Sequence, residues 1–375
     1  MCMRFAGPRV PKPYDNCHMG VGAEQYRRVY EAVNYRLRTV MGGRFAAYCR
    51  PTSIAILLTE LCNARCVHCD IWKNKGKEDA PTFEQWQGVL KELRDWLGPV
   101  QVTLTGGEAL LKPFTIDLVA YGSSIGLAIE LLSHGYWDDQ TKFERLALAR
   151  PWRVTISLDG IGETHTKIRG RERFFEKTTT SIETLKRVRR ENNLRFSIRL
   201  KTVIMRHNLD SLSDLARFAT QDGVDIWYQP IEQNYNTAPD EKWWEHTDNW
   251  PNDPAKAIAA VEKLVAMKRE GCNIANGHEQ LEVMIPYFRD PAELSARVRG
   301  HSAHERRALC AALTMLQIQA NGDLRACANA LPMGNVKTHR VREAWEHRAH
   351  LWEQGCCQEP KENSVVQIAA AVDAP

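Results

Sequence analysis

"TELCNARCVHCDIWK", residues 59–73, sets Cys62, Cys66 and Cys69 within eight positions, with three residues and then two between them. The stretch runs straight out of "IAILLTE" (54–60), a short apolar run that reads as a strand. Thiols at the carboxyl end of a strand sit where parallel α/β folds place their active sites. Such a trio can bind zinc, bind an iron-sulfur cluster, or be structural. A closed zinc site takes four ligands, usually as two pairs; no matching pair follows at the usual distance, and His68 lies between two of the thiols. A four-iron cluster on three cysteines leaves one iron open to a small-molecule ligand.

Five more strand candidates follow: "VQVTLTG" (100–106), "LAIELLS" (127–133), "RVTISLD" (153–159), "RFSIRLKTVI" (195–204) and "VDIWYQPI" (224–231). Between them, Phe83, Trp86, Val89, Leu90, Leu93, Trp96 and Leu97 recur at helical spacing, as do Leu209, Leu212, Leu215 and Ala216. Six alternating strand and helix units predict a parallel sheet, either a barrel, a partial barrel or an open doubly wound sheet. Ahead of it, residues 23–40 read as a helix with Tyr26, Val29, Tyr30 and Val33 on one side. A helix is expected at about 255–270, and "MLQIQANGDLRAC" reads as a hairpin around an Asn-Gly turn.

The chain of 375 residues is long enough for a large core, and 50 Lys and Arg against 46 Asp and Glu give a net charge of only +4. That balance argues for neither a nucleic-acid nor a membrane surface. No apolar run long enough for a membrane span and no secretory-type start is present, so a cytoplasmic location is expected. Eleven clustered cysteines in so large a chain point to metal or redox chemistry rather than disulfides.

With this cysteine spacing, and His68 before the third thiol, the chain resembles the radical S-adenosylmethionine superfamily. The resemblance covers roughly residues 52–232 and implies a partial (β/α)6 TIM-like barrel. It implies that Cys62, Cys66 and Cys69 hold a 4Fe-4S cluster. That cluster would chelate S-adenosylmethionine and cleave it reductively to a 5′-deoxyadenosyl radical, which takes hydrogen from a substrate. Gly106, Gly107 and Glu108 in "TLTGGEALL" match the family's motif for the methionine ammonium; by itself the triplet also reads as a tight turn with a helix-starting Glu. Ser133 in "LLSHGY" stands where relatives often carry Thr-Asn-Gly, and His134 departs from that pattern. Ser157 and Asp159 of "ISLDG", with Arg169 of "KIRG", correspond to residues near the cofactor's ribose or carboxylate, although Asp159-Gly160 is also an ordinary turn dipeptide. Tyr228 and Gln229 are candidates to face the adenine, or core residues.

Farther on, Cys310, Gly322 and Cys327 stand with eleven and then four residues between them, and Cys356 and Cys357 follow. This order resembles the SPASM or Twitch extension and implies one auxiliary 4Fe-4S cluster; a hairpin with two buried cysteines is the plain alternative. Cys2, Cys17, Cys49 and Cys272 fit neither motif. The expected organisation is an N-terminal extension at 1–51, the radical core at 52–275, the auxiliary region at 276–357 and a disordered tail at 358–375. The expected function is an oxidation or rearrangement of a small molecule, fed by an electron donor such as flavodoxin or ferredoxin. A leader-binding domain would need more than the helix seen before the first strand. Peptide maturation is the alternative, and a non-catalytic iron-sulfur or metal sensor is the alternative of another class.

Overall fold

The computed structural model describes residues 21–39, 48–75, 79–234, 237–238, 240, 242–293, 313–326 and 331–348. Strands β1 (Ser53–Leu57), β2 (Gln101–Thr105), β3 (Ala128–Ser133), β4 (Arg153–Ser157), β5 (Ser197–Ile204) and β6 (Asp225–Pro230) pair in parallel in chain order. All six strand candidates lie where the apolar runs place them. The sheet does not close: its order runs from β6 through β1 to β7 (Met315–Ile318), β8 (Asp323–Arg325) and β9 (Gly334–Asn335). It is a partial TIM-like barrel.

Alternation along the strands sorts the two faces. Ile54, Ile56, Val102, Leu104, Ile198, Leu200, Ile226 and Tyr228 are buried in the main core. The next residues along, such as Thr103, Ser157, Lys201 and Trp227, are only partly covered and line the opposite, inner face. Helix α1 spans Val21–Thr39, α2 Phe83–Leu97, α3 Thr115–Ser124, α4 Thr141–Leu148, α5 Glu163–Arg169 and α6 Phe174–Glu191. Beyond them lie α7 (Leu212–Gln221), α8 (Pro254–Arg269), α9 (His278–Glu282), α10 (Met284–Arg289) and α11 (Val341–Glu346). Helix α2 shows why these segments form. Thr82 and Gln85 make a reciprocal capping box, and Trp86, Val89, Leu90, Leu93 and Leu97 bury one stripe, each burial stabilising by about 2 kcal/mol.

Helix α1 keeps half of its expected apolar face, with Tyr30 packed against the main core and Tyr26 against Leu97 and Gly98, and corrects the other half. Val29 and Val33 are 58% and 51% exposed, and the helix docks also through polar tips. The Tyr26 hydroxyl donates to the Leu97 carbonyl, the Tyr30 hydroxyl to that of Pro51, and buried Asn34 accepts from the Arg50 N–H. Strand β7 pairs in parallel with β1, and the Asn-Gly turn joins it to antiparallel β8, as the hairpin signal predicts.

The outer edge of β6 is capped by a side chain. Asn276, fully buried, accepts from the Tyr228 N–H at 2.8 Å and donates back to the Tyr228 carbonyl at 2.8 Å. Its amide thus imitates one peptide unit of a neighbouring strand. Among the described residues, no helix is long and apolar enough to cross a membrane.

Candidate active site

The cysteine loop leaves β1 and is clamped on both sides. The Arg65 and Val67 N–H groups donate to the Arg169 and Ile168 carbonyls, each at 3.0 Å, and Asn249 Nδ2 donates to the Val67 carbonyl at 3.0 Å. Gly170 sits at φ +68°, and a Cβ there would run into the Arg65 carbonyl. Cys62, Cys66 and Cys69 gather with Ala64, Phe174 and Tyr136 in one small apolar group, all three thiols free.

Burial pushes the Cys62 thiol up to about 12 and raises those of Cys66 and Cys69 as well. Arg169 opposes this at Cys66, where its Nη1 lies 3.5 Å from Sγ. The three thiols share one site, yet among the described residues no trio of His, Cys, Asp or Glu converges tightly enough for a single ion.

Glycines 106 and 107 have a use the sequence did not reveal. The Gly107 and Glu108 N–H groups donate to the Thr59 and Leu61 carbonyls at 2.8 and 2.9 Å, and a Cβ on either glycine would strike those same carbonyls. Their lack of side chain lets the turn after β2 lie against the root of the cysteine loop.

That contact carries Glu108 into a sealed position, 1% exposed. Its Oε1 accepts from the Leu110 N–H at 3.1 Å and the Ser133 hydroxyl at 3.0 Å, and its Oε2 from the His134 N–H at 3.0 Å. The His134 Nδ1 accepts from the Tyr136 N–H at 2.9 Å, so the ring proton sits on Nε2, which faces Asn63 Oδ1 at 2.8 Å and Glu108 Oε2 at 3.2 Å. Burial holds His134 below the usual histidine range, in keeping with a neutral ring. Ser133, expected as a cofactor contact, spends its hydroxyl on Glu108.

Asp159 is likewise committed to the frame. Its Oδ1 accepts from the Val203 N–H at 2.9 Å, its own N–H donates to His165 Nδ1 at 3.0 Å, and its Oδ2 lies 2.6 Å from Arg169 Nη2. It is fully buried. Despite burial, the Arg169 guanidinium and two neighbouring histidines keep the Asp159 carboxyl below its ordinary range. Ser157 remains half-buried at the end of β4, with no hydrogen bond from its hydroxyl among the described residues.

Burial lowers His68 to about 4, and its Nδ1 is buried without a partner. Tyr228 faces the helices, fully buried with its hydroxyl donating to the Leu212 carbonyl, which removes it as an adenine contact; Gln229 stays on the inner face. Asn63, His165, Asn249 and Asn208, whose Nδ2 donates to the Asp159 and Val203 carbonyls at 2.8 Å each, were missed by sequence reasoning. Of these only Asn63, inside the cysteine motif, carried a local signal. Cys310, Cys327, Cys356 and Cys357 lie outside the described residues.

The AdoMet-dependent heme synthase of Methanosarcina barkeri is 24% identical over 304 residues, 79% of this chain and 82% of that protein. The sporulation killing factor maturation protein SkfB of Bacillus subtilis is 32% identical over 179 residues, but the match spans only 47% of this chain and 42% of SkfB. The crystal structure of Streptococcus suis SuiB bound to S-adenosylmethionine shares the fold, with a TM-score of 0.60 at 15% identity over 80% of this chain and 66% of that one. Residues 56–219, less than half of the chain, match the family described as the Radical SAM superfamily, and the chain's similarity is to enzymes of that superfamily.

Proposed function

We propose that Cys62, Cys66 and Cys69 hold the 4Fe-4S cluster and that Glu108 receives the methionine ammonium of S-adenosylmethionine. The observation that carries this reading is the juxtaposition of the three thiols with a sealed, fully oriented carboxylate at the ends of β1 and β2. Bound there, cluster and cofactor supply the 5′-deoxyadenosyl radical that takes hydrogen from the substrate. The chain's own residues orient and shield. Ser133 and His134 fix Glu108, Asp159 fixes Arg169, and Ser157 and Arg169 serve the cofactor's carboxylate or ribose, with His68 beside the cluster. Gly106 and Gly107 let the two loops meet.

For the auxiliary 4Fe-4S cluster, the proposed ligands are Cys310, Cys327 and Cys356 or Cys357. Support comes from the β7–β8 hairpin, whose strands pair Gln317 with Arg325 and so draw together the chain on either side of the turn. A cytoplasmic setting suits thiols that must stay reduced, with flavodoxin or ferredoxin as electron source.

The proposed substrate is a small molecule, with an acid-bearing tetrapyrrole as first candidate, because the heme synthase aligns along about four-fifths of both chains. A peptide is the second reading, favoured by the identity to SkfB and by the fold shared with SuiB. Anaerobic reconstitution with iron and sulfide, followed by assay for 5′-deoxyadenosine with and without coproporphyrin, tests the proposal. Absence of 5′-deoxyadenosine refutes the cofactor assignment, and release unaffected by the porphyrin refutes the substrate.

A further inference from the structure

The inner face of the sheet has two polar tiers. In the lower one, Glu130 is used up: Gln101 Nε2 and Thr103 Oγ1 donate to it at 2.7 and 3.3 Å, Thr155 Oγ1 at 2.5 Å, and Arg153 lies 3.9 Å away. In the upper tier, the loops after β1, β2 and β3 and the Asp159–Arg169 pair belong to the cluster and cofactor. The wall formed by β5 and β6 is left.

Lys201 stands on that wall, in register with Ser157 of β4 on one side and Trp227 of β6 on the other. Its Nζ lies 5.6 Å from the centre of the Trp227 ring. Glu232 follows just beyond the end of β6. Lys201 and Glu232, both partly covered, make no side-chain hydrogen bond or close ion pair among the described residues, and each is the other's principal opposing charge. An unpaired buried ammonium is unstable unless an anion meets it. Glu232 is a poor candidate for that anion, since burial raises it to about 7 and it spends much of its time neutral.

We propose that Lys201 is the anchor for a carboxylate of the substrate, in a slot on the inner face of β5 and β6 floored by the indole of Trp227. A partly exposed indole beside one cation that lacks a close ion pair fits a flat, apolar body carrying an acid group. The inference rests on the substrate reading above and names the group by which that substrate is held.

The test uses the reconstituted enzyme with coproporphyrin III, its tetramethyl ester and S-adenosylmethionine as three separate binding probes. The wild-type chain is expected to bind the free acid about tenfold more tightly than the ester, the worth of one charge-assisted contact. Lys201→Met should remove that preference while leaving iron content and S-adenosylmethionine affinity unchanged. Lys201→Arg, which keeps the charge, should retain it and guards against a folding defect. A preference that survives Lys201→Met overturns the inference and leaves the substrate reading standing. Loss of S-adenosylmethionine affinity in Lys201→Met instead assigns the ammonium to the cofactor's carboxylate and overturns it too. Failure of the wild-type chain to bind either porphyrin overturns both.

Discussion

Arg169 Nη2 lies 2.6 Å from Asp159 Oδ2, with the guanidinium's other arm 3.5 Å from the sulfur of Cys66. One buried ion pair therefore connects the turn after β4 to the cysteine loop. Asp159→Asn strands the Arg169 charge and should destabilise the chain by about 3 kcal/mol, as breaking one side of a buried pair does. Adding Arg169→Met should recover part of that loss in urea unfolding of the metal-free chain. Equal losses in the single and double variants would mean that Asp159 matters only through its bonds to Val203 and His165.

Cys66→Ala should end reductive cleavage of S-adenosylmethionine and strip the first cluster, since two thiolates cannot keep the third corner in place. Iron content and 5′-deoxyadenosine are both measured after anaerobic reconstitution. Undiminished 5′-deoxyadenosine would remove these cysteines from the chemistry.

Glu108→Ala should weaken S-adenosylmethionine binding about tenfold with iron unchanged, because the carboxylate meets an ammonium and not a metal. Ser133→Ala, which removes one of the donors orienting that carboxylate, should act in the same direction by about threefold. Equilibrium dialysis against labelled cofactor reads both. Unaltered affinity in Glu108→Ala returns that residue to the role of a cap, its side chain accepting from the Leu110 N–H.

Replacing Cys310 and Cys327 together with alanine should lower iron from about eight to about four atoms per chain, the content of one four-iron cluster. Uncoupled cofactor cleavage should persist while substrate turnover stops. Full iron retention would make the hairpin cysteines structural.

Glu232 carries a pH signature. Burial raises its pKa from 4.5 to about 7, with Lys201 the charged group acting in the opposite sense. At pH 4 the carboxyl is protonated in both folded and unfolded chains; as pH rises toward 7 the unfolded chain ionises first, so stability is lost across that window. Glu232→Gln should remove this loss, gaining about 3 kcal/mol over the wild type at pH 8 and almost nothing at pH 4. Parallel stability curves for the two proteins would show that Glu232 is not held neutral.

The six parallel strands and the cysteine loop were legible because their signals are local: apolar runs of fixed length and thiols a few residues apart. The turn after β2 that carries Glu108 was legible for the same reason. What escaped depends on partners distant in sequence. The tie from His165 to Asp159 needs α5 to fold back on β4, and the grip of Asn249 on Val67 spans a separation of 182 residues. Helix α1 was misread at Val29 and Val33, because part of its grip lies in hydroxyl and amide tips, which no count of apolar residues registers. The ring proton of His134 is set by the backbone of Tyr136, and no pattern in "LLSHGY" announces it.

The amide of Asn276, paired twice with Tyr228, bears on how copies of this chain behave toward one another. An open parallel sheet ordinarily ends in a row of vacant N–H and C=O groups that can template a foreign strand. Here Asn276 fills one such position, and the backbone of Asn273 and Ala275 fills the places around Ile226. At the opposite end β9 is two residues long, too short to seed a ladder. Among the described residues, the two ends of the sheet thus offer other chains almost no strand edge on which self-association could begin.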